Sequence, residues 1–400
     1  MPGASSVYFV VLLSVLSNIG LRGSRVLVSL SALHLGANSF MVGVLAALFS
    51  VFPLMLAVYA GRVSDRVGVR APIALGSAGM TLALLLPALH HDLFTLFACP
   101  TLIGLSQIFV QVSIQNAVGS IGGADQRAVN FGTFSLGASI STFVGPSLAG
   151  FSIDALGYRP SYVVLAAMPL GVVLLALISG GRMPARGEHA DEKRAGRAFE
   201  LFREGPLRRT LFMSGAALTG IELFSFYMPV YGKSIGLSAS GIGLVLSAYA
   251  GAAFVVRLLM RDLARRYSET GVLTASLFVA AATYALFPML SGVPMLVLVA
   301  FLLGLGLGSA QPLTIMLTYH HAPPGRSGEA LGMRLTVNKV TQIAIPVVFG
   351  GIGALFGLQP VFWANAAFLL ASGVLSAKDR RPLSPEPRSD RPPAPPPSSA

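Results

Sequence analysis

Charged residues are scarce in this chain of 400 residues, of which Asp, Glu, Lys and Arg together make up 11%. An average soluble protein has about a quarter of its residues charged. Hydrophobic residues make up 54% of the chain, and the mean hydropathy is +0.72. This balance excludes an ordinary soluble domain and indicates a protein with many membrane-spanning segments.

Cysteine is almost absent, and the sequence also lacks the motifs of cofactor chemistry. The single cysteine, Cys99, excludes internal disulfide bonds, and no His, Cys, Asp and Glu residues fall at metal-ligand spacing. No glycine-rich phosphate-binding motif occurs, so nucleotide hydrolysis has no support. We therefore expect no cofactor, no metal and no enzymatic activity, because the chain also lacks paired carboxylates or a Ser–His set at a membrane face.

Acidic residues are fewer than basic ones, 16 against 28, which gives a formal net charge of +12. If twelve spans are counted from a cytoplasmic N-terminus, 22 of the 28 basic residues fall in cytoplasmic segments. Only Arg159 and Lys233 fall on the opposite side. The positive-inside rule then predicts that both termini are cytoplasmic. These loops account for the charge without a nucleic-acid partner, and a composition rich in Ala, Arg and Gly suggests a bacterial inner (plasma) membrane.

Apolar runs long enough to span a bilayer, about 20 residues each, fall in two sets of six. The first set lies at 7–33, 39–60, 71–89, 93–117, 131–153 and 160–180, and the second at 210–231, 239–259, 270–290, 294–318, 330–356 and 360–377. We predict an all-α integral membrane protein in which twelve transmembrane helices form two pseudo-symmetric six-helix bundles. Its predicted parts are a first bundle (1–180), a cytoplasmic linker (181–209), a second bundle (210–377) and a disordered cytoplasmic tail (378–400).

The two sets of spans repeat one another with an offset of 200 residues. Glycine and proline show the repeat best, at pairs such as Gly43 and Gly243, Gly104 and Gly304, Gly157 and Gly357, and Pro146 and Pro346. Because backbone geometry is most constrained at these two residue types, the agreement indicates a duplicated backbone plan. Internal repeats of this kind are typical of secondary transporters, whose site lies where the repeats meet.

A loop motif, Gly61-x-x-x-Asp65-Arg66-x-Gly68-x-Arg70, separates the second and third spans. It resembles the cytoplasmic signature of the major facilitator superfamily, and a degenerate copy with Asp262 lies between spans eight and nine. The resemblance implies the facilitator fold and a gating role, in which this loop latches the cytoplasmic side of the outward-open state. We carry that role to Gly61, Asp65, Arg66, Arg70 and Asp262.

A second motif in the fifth span, Gly145-Pro146-x-x-x-Gly150 with Gly137 upstream, resembles the Gly-Pro motif of exporters in the superfamily. These exporters are mostly antiporters. Close helix packing is the alternative reading, since small residues and proline are frequent in membrane helices. The arginine that such antiporters often carry in span four is missing at 100–104, which leaves uptake open.

Polar residues within the spans predict a central cavity, because they are costly to expose to lipid. In the facilitator fold, spans one, four, seven and ten line that cavity, and each has a polar face here. The candidate substrate and coupling residues are Asn18, Arg22, Arg25, Gln107, Gln111, Gln115, Glu222, Gln311, Asn338 and Lys339.

The repeat register places Arg22 opposite Glu222, the only carboxylate predicted deep in a span. The two charges form either a structural ion pair or a pair that substrate or a proton at Glu222 breaks. Arg22, Arg25 and Lys339 outnumber Glu222, which favours an anionic solute. Arg334 lies close enough to the cytoplasmic end of its span to reach the interface.

The resemblance and these charges together imply a secondary active transporter that moves a small organic solute by alternating access. Proton-coupled efflux of an anionic metabolite or drug is the preferred prediction, for a monomer that contacts solute, protons and membrane lipid. Three alternatives stay open: an uptake symporter or uniporter of an organic anion, a multidrug exporter of cations, and a sensor that no longer transports.

Overall fold

The computed structural model describes residues 2–121, 124–178, 205–323 and 327–378. The predicted linker at 181–209 and the predicted tail at 378–400 lie outside the described residues, apart from 205–209 and Lys378. Of Asp65 only the backbone is described.

The described residues form thirteen α-helices and one short 3-10 turn. The helices are α1 Pro2–His34, α2 Ser39–Val67, α3 Arg70–Leu89, α4 Leu93–Ser120, α5 Ala124–Leu156, α6 Tyr158–Ile178, α7 Gly205–Ser234, α8 Ala239–Tyr267, α9 Glu269–Leu286, α10 Val293–Leu307, α11 Ala310–His320, α12 Ser327–Phe356 and α13 Leu358–Lys378. Twelve segments are long and apolar enough to cross a membrane, with α10 and α11 together forming the tenth. The predicted all-helical fold with twelve spans is therefore confirmed.

Turns at one face of the molecule explain why the glycines repeat. Gly36 and Gly236 end the turns after α1 and α7 with φ of 85° and 79°, and Gly157 and Gly357 have φ of 84° and 87°. Only glycine adopts positive φ without strain, so each turn requires it.

The helices pack as two bundles, α1–α6 and α7–α13, and the contacts within one bundle match those within the other. The pairs α1·α5 and α3·α6 correspond to α7·α12 and α9·α13. The bundles meet through α5·α8 and through its repeat mate α2·α12, with α1·α7 between them. The observed architecture is thus the pseudo-symmetric arrangement predicted from the repeat.

Two faces of the molecule can be distinguished by their connections. We call the face with the turns at 35–38, 157, 235–238 and 357 the short-loop face, and the face with both termini and the segment between α6 and α7 the linker face. The two bundles approach most closely near the short-loop face. A Cβ at Gly43 would lie 2.2 Å from the carbonyl oxygen of Pro346, and one at Gly350 would lie 2.8 Å from that of Ser39. The short-loop face is therefore closed by backbone-to-backbone packing, which small residues permit.

Candidate functional site

A chain of polar contacts around Glu222 joins the two bundles. Glu222 on α7 accepts a hydrogen bond from Arg25 Nη1 on α1, at 3.2 Å from Oε2. Its other oxygen, Oε1, accepts from Gln342 Nε2 on α12 at 3.2 Å. Lys339 Nζ in turn donates to Gln342 Oε1 at 3.0 Å. Both carboxylate oxygens are thereby held, one by each bundle.

This network lies near the middle of the membrane-spanning region. Arg25 precedes the short-loop end of α1 by nine residues and Glu222 that of α7 by twelve, which corresponds to depths of roughly 14 and 18 Å along the helix axes. The side chains are 22% and 11% exposed. At these depths, in a hydrocarbon core about 30 Å thick, a charge needs a partner or a water-filled cavity.

A pocket of about 380 Å³ that includes open solvent adjoins the pair. Arg25 and Glu222 supply its charged groups, and the guanidinium of Arg25 lies 5.5 Å from the centre of the Phe49 ring. The remaining lining is apolar or weakly polar, from Val28, Ser29, Ala46, Ser225, Phe226 and Pro346. The lining thus combines apolar side chains with one charged pair, which is the usual composition of a small-molecule site.

The partner of Glu222 is Arg25, which corrects the pairing of Arg22 with Glu222 expected from the repeat. An internal repeat tells which residues are equivalent in the two bundles, and equivalence does not imply contact. Arg22 lies one helical turn away, where a Cβ at Gly145 would approach its Cβ to 2.7 Å. It stays within electrostatic range of Arg25, Glu222 and Arg257.

Arg257 belongs to the same charged region, although it is not among the cavity residues predicted from the sequence. It lies within the eighth span, Ala239–Met260, and its Nε donates to the carbonyl of Gly308 at 3.0 Å, where the tenth span breaks. Its Nη1 reaches across to Ser139 Oγ on α5 at 3.1 Å. Its position three residues before the span end made it look like an interfacial residue.

The charged region as a whole is positive. Arg22, Arg25 and Lys339 act electrostatically on one another and on Glu222, and Arg257 acts on Arg22. Four formal positive charges thus face one negative charge, one more cation than the sequence predicted. A cavity with this balance attracts anions.

Most of the predicted polar residues lie apart from this network. Asn18 bonds within its own helix, to Ser14 at 2.9 Å, and buried Gln107 accepts from Ser17 Oγ at 3.1 Å inside the first bundle. Asn338 is buried and accepts from Ser214 Oγ at 3.2 Å inside the second bundle. Gln111 and Gln115 are exposed, and Gln311 is half-buried. Exposed glutamines on the linker-side half of α4 indicate that the space between the bundles opens toward the linker face.

The gating residues predicted from the loop motif lie toward the linker face, at the ends of α2 and α8 and the start of α3. Residues 61–67 continue α2, and the chain turns at Gly68 with φ of 79°. A Cβ at Gly61 would meet only Val112 Cγ1, at 3.9 Å, so no close helix contact requires a glycine at this position. Arg66 and Asp262 are exposed. The gating role of this loop stays a prediction.

Arg70 has a defined role within the first bundle. Its Nε donates to the carbonyl of Ala176 at 2.9 Å, and its Nη2 donates to that of Leu177, at the end of α6. Arg159 at the start of α6 does the reverse and donates to the carbonyls of Ala88 and Leu89 at the end of α3. Cations stabilise helix C-termini, so these arginines tie α3 and α6 together at both faces.

The Gly-Pro motif lies in the interface on both sides of α5. Gly145 faces α1, and Gly150 faces α8, where a Cβ would lie 2.3 Å from the carbonyl oxygen of Ala239. Buried Pro146 lies between them, and its carbonyl oxygen would be 2.7 Å from a Cβ at Gly243. The small residues of this motif thus permit close helix packing, both within the first bundle and between the two bundles.

A family model described as "Major Facilitator Superfamily" matches residues 7–270 and 210–399. The chain is 20% identical over 347 residues to the multidrug resistance protein MdtG of Serratia proteamaculans (strain 568), covering 85% of this chain and 84% of that protein. It is 21% identical over 346 residues to the quinolone resistance protein NorA of Staphylococcus aureus, covering 82% and 85%.

Solved structures agree on the fold. A mutant of the nucleoside transporter NupG superposes with a TM-score of 0.79 at 14% identity, over 93% of this chain and 99% of that one. A mutant of the peptide transporter POT gives a TM-score of 0.79 at 14% identity, over 94% of each chain. At this sequence identity the similarity shows a shared fold, and it carries no information about the substrate.

Proposed function

Because the chain belongs to the Major Facilitator Superfamily and is a multi-pass membrane transporter, we propose that it couples solute movement to protons at Glu222. The observation that carries the proposal is the bridge from Arg25 through Glu222 to Gln342, which links the bundles at mid-membrane. A group that binds between Arg25 and Glu222 changes the contact between two bodies that must rock against each other. Solute binding and conformation are thereby coupled.

The surplus of cations supports an organic anion as the solute. An acidic group of the solute would bind Arg25, and its apolar part would lie against Phe49 and Phe226. Arg22, Lys339 and Arg257 raise the potential around the same point.

The charge of the solute decides the sign of proton coupling. An anion that takes Arg25 from Glu222 leaves the carboxylate free to accept a proton, so proton and anion promote each other's binding. Both then cross together, which is symport. A cation that takes Glu222 from Arg25 competes with the proton, and competition of that kind produces antiport.

Proton-coupled transport of an organic anion is therefore the function that the geometry supports best, and symport is its natural mode. This favours the uptake alternative over efflux by antiport, the mode preferred from the sequence. Antiport of an anion would need a proton site other than Glu222.

Efflux of a drug-like cation by antiport is the second candidate. It is supported by the names of the relatives, which are resistance proteins, and by the Gly-Pro motif of the fifth span. The apolar and aromatic pocket wall suits such a solute as well as an anion, and Glu222 would be its counter-ion.

The linker face is proposed as the cytoplasmic face, which the distribution of basic residues supports. The described conformation, closed at the short-loop face, is then inward-open. Solute would enter from or leave to the cytoplasm past Gln111 and Gln115.

A thermal-shift screen of the purified chain tests the proposal. Benzoate and tetraphenylphosphonium serve as anionic and cationic probes, each at pH 5.5 and 8. We expect benzoate to raise the unfolding temperature more at pH 5.5, and Arg25→Ala to remove the effect. Arg159→Ala is the matched control, because that arginine lies at the short-loop face and binds helix carbonyls.

Stabilisation by tetraphenylphosphonium alone, greater at pH 8 and lost in Glu222→Gln, would overturn the anion proposal in favour of the second candidate. A non-transporting sensor is tested separately, in liposomes that contain the protein. A solute that stabilises the protein but is never exchanged across the membrane would support the sensor.

A further inference from the structure

Arg334 on α12 is a buried cation for which the described residues supply no partner. It is 5% exposed, and its Nε and Nη1 atoms have no hydrogen-bond acceptor among the described residues. Three other cations deep in the spans are hydrogen-bonded, namely Arg25 to Glu222, Lys339 to Gln342 and Arg257 to Gly308. A fourth, Arg22, lies within electrostatic range of Glu222. The burial of Arg334 also corrects the expectation that this side chain reaches out to the interface.

The position of Arg334 follows from its neighbours along α12. Residues four apart share a helix face, and Ala330 packs with Leu207 and Leu211 of α7. One turn beyond Arg334, Asn338 accepts a hydrogen bond from Ser214 of α7. Arg334 therefore faces α7 between these two levels, inside the second bundle. It lies five residues, or about 7.5 Å along the helix, from Lys339 toward the linker face.

The surroundings of Arg334 hold hydroxyl groups and apolar side chains. Thr210, Ser214, Thr314 and Thr318 of α7 and α11 are all buried on this side of the bundle. The hydroxyls of Thr210, Thr314 and Thr318 donate to backbone carbonyls of their own helices. No charged side chain among the described residues acts electrostatically on Arg334, whereas Lys339 is within range of Arg22, Arg25 and Glu222. The guanidinium thus presents two nitrogen atoms, Nε and Nη1, whose N–H groups lack an acceptor, at a place where the described residues supply no counter-charge.

An uncompensated charge in such a place is costly, and the cost is removed by a bound counter-ion. We propose that Arg334 binds a small monovalent anion, a halide or a short carboxylate, inside the second bundle. Because the side chain is 5% exposed inside the packed bundle, the ligand must be small. The site is separate from the Arg25–Glu222 pair, so it does not depend on the function proposed for that pair.

Anion replacement in the purified full-length chain tests this proposal. Thermal unfolding is followed while sodium chloride is replaced by sodium gluconate at constant ionic strength, since gluconate is too large for the site. We expect chloride to raise the unfolding temperature along a saturating curve, and Arg334→Met to remove this dependence. Arg159→Met is the matched control and retains it, because Arg159 binds helix carbonyls at the short-loop face. Acetate in place of chloride distinguishes the two sources, since a stronger effect of acetate identifies a carboxylate ligand.

The sign of the mutational effect gives a second test. In gluconate, Arg334→Met should be at least as stable as the wild-type chain, because it removes an unpaired charge. In chloride the order should reverse. A loss of stability that is equal in both salts would overturn the proposal and indicate a protein partner such as Glu329, whose side chain is not described. An unchanged chloride effect in Arg334→Met would also overturn it.

A measurement on the unaltered protein covers the case in which Arg334→Met does not fold. Crystals grown in sodium bromide should show an anomalous peak within hydrogen-bond distance of the Arg334 guanidinium. Electron density for water alone at that position, with bromide bound elsewhere, would contradict the proposal.

Discussion

Asp154 of the first bundle caps helix α8 of the second: its Oδ2 accepts a hydrogen bond from the backbone N–H of Ser240 at 2.7 Å. Its Oδ1 accepts another from Ala239 at 3.1 Å. A carboxylate at a helix N-terminus is favoured by about 0.3–1 kcal/mol, and by up to ~2 kcal/mol when partly buried. Because this cap crosses the boundary between the bundles, it stabilises closure of the short-loop face.

Asp154→Asn should weaken this closure and increase the share of molecules that are open at the short-loop face. The substitution removes the negative charge while keeping the size of the side chain. Spin labels at Leu156→Cys and Ile235→Cys, two exposed positions, would report the separation of the bundles in a Cys99→Ala background. We expect the distance distribution to gain a longer component in Asp154→Asn.

Asp92→Asn is the control for this experiment. Asp92 also caps a helix at the short-loop face, by accepting from Thr95 N at 2.8 Å, but α4 belongs to its own bundle. The control should leave the distances unchanged. Equal shifts in both variants, or none in Asp154→Asn, would remove Asp154 from the gate.

The double variant Arg25→Glu with Glu222→Arg distinguishes an ion pair that only stabilises the fold from one that takes part in the transport cycle. Breaking a buried pair by a single substitution costs roughly 3–5 kcal/mol, and the exchange should restore much of that loss. Gln342 can still donate or accept, so the local contacts survive. If the pair is part of the transport cycle, stability returns but transport does not. Recovery of both would show that the pair is structural only.

Gly150→Ala should destabilise the closed short-loop face, because its Cβ would meet the carbonyl of Ala239 at 2.3 Å. Overpacking at such a contact costs about 1–3 kcal/mol. Gly132→Ala is the matched control within the same helix, where an added Cβ has no atom within 4 Å. The same spin-label pair would show a longer distance only for Gly150→Ala. If Gly150→Ala kept the short spin-label distance and the wild-type stability, the helices would accommodate the added Cβ without a loss of free energy, which would contradict this prediction.

Acidification should destabilise the short-loop face through His91. Burial lowers the pKa of His91, helped by the neighbouring His34 and Arg159 and opposed by Asp92. Since its folded pKa lies below the ordinary value of about 6.5, the unfolded chain binds a proton first as the pH falls. The stabilising contribution of neutral His91 is complete at a pH above the ordinary pKa of the unfolded chain. It is lost as the pH falls through the lower pKa of the folded protein.

The check is the unfolding temperature at pH 7.5 and 5.5. His91→Gln should show a smaller decrease than the wild-type chain, because Gln does not titrate. His91 Nε2 lies 3.3 Å from Ser31 Oγ, and the ring stacks 6.1 Å from that of Tyr158. Equal decreases in both proteins would assign the pH effect to other groups.

The fold could be predicted from sequence because its signals are local. A membrane helix needs about 20 apolar residues in one run, and the paired glycines at 36 and 236 are required by the turns in which they lie. Neither signal depends on how distant segments pack. The count of six spans in each half and the equivalence of the two bundles follow from these apolar runs and paired glycines.

The contacts of the site could not be predicted in the same way. Arg22 and Arg25 share one face of α1, and only the angle at which α1 meets α7 decides which of them reaches Glu222. Asp154 and Arg257 were missed because a charged residue near a span end is usually interfacial. Their partners lie 86 and 118 residues away in the chain, beyond the reach of sequence spacing.

The most direct test of the central claim is proton movement driven by a solute gradient in liposomes that contain the purified protein. The solute is the one that stabilises the protein most in the thermal-shift screen, and a pH-sensitive dye is enclosed. For an inward gradient of an anion, the wild-type protein should acidify the interior. Glu222→Gln should exchange the solute without moving protons. Proton movement that is undiminished in Glu222→Gln would contradict the assignment of Glu222 as the proton site.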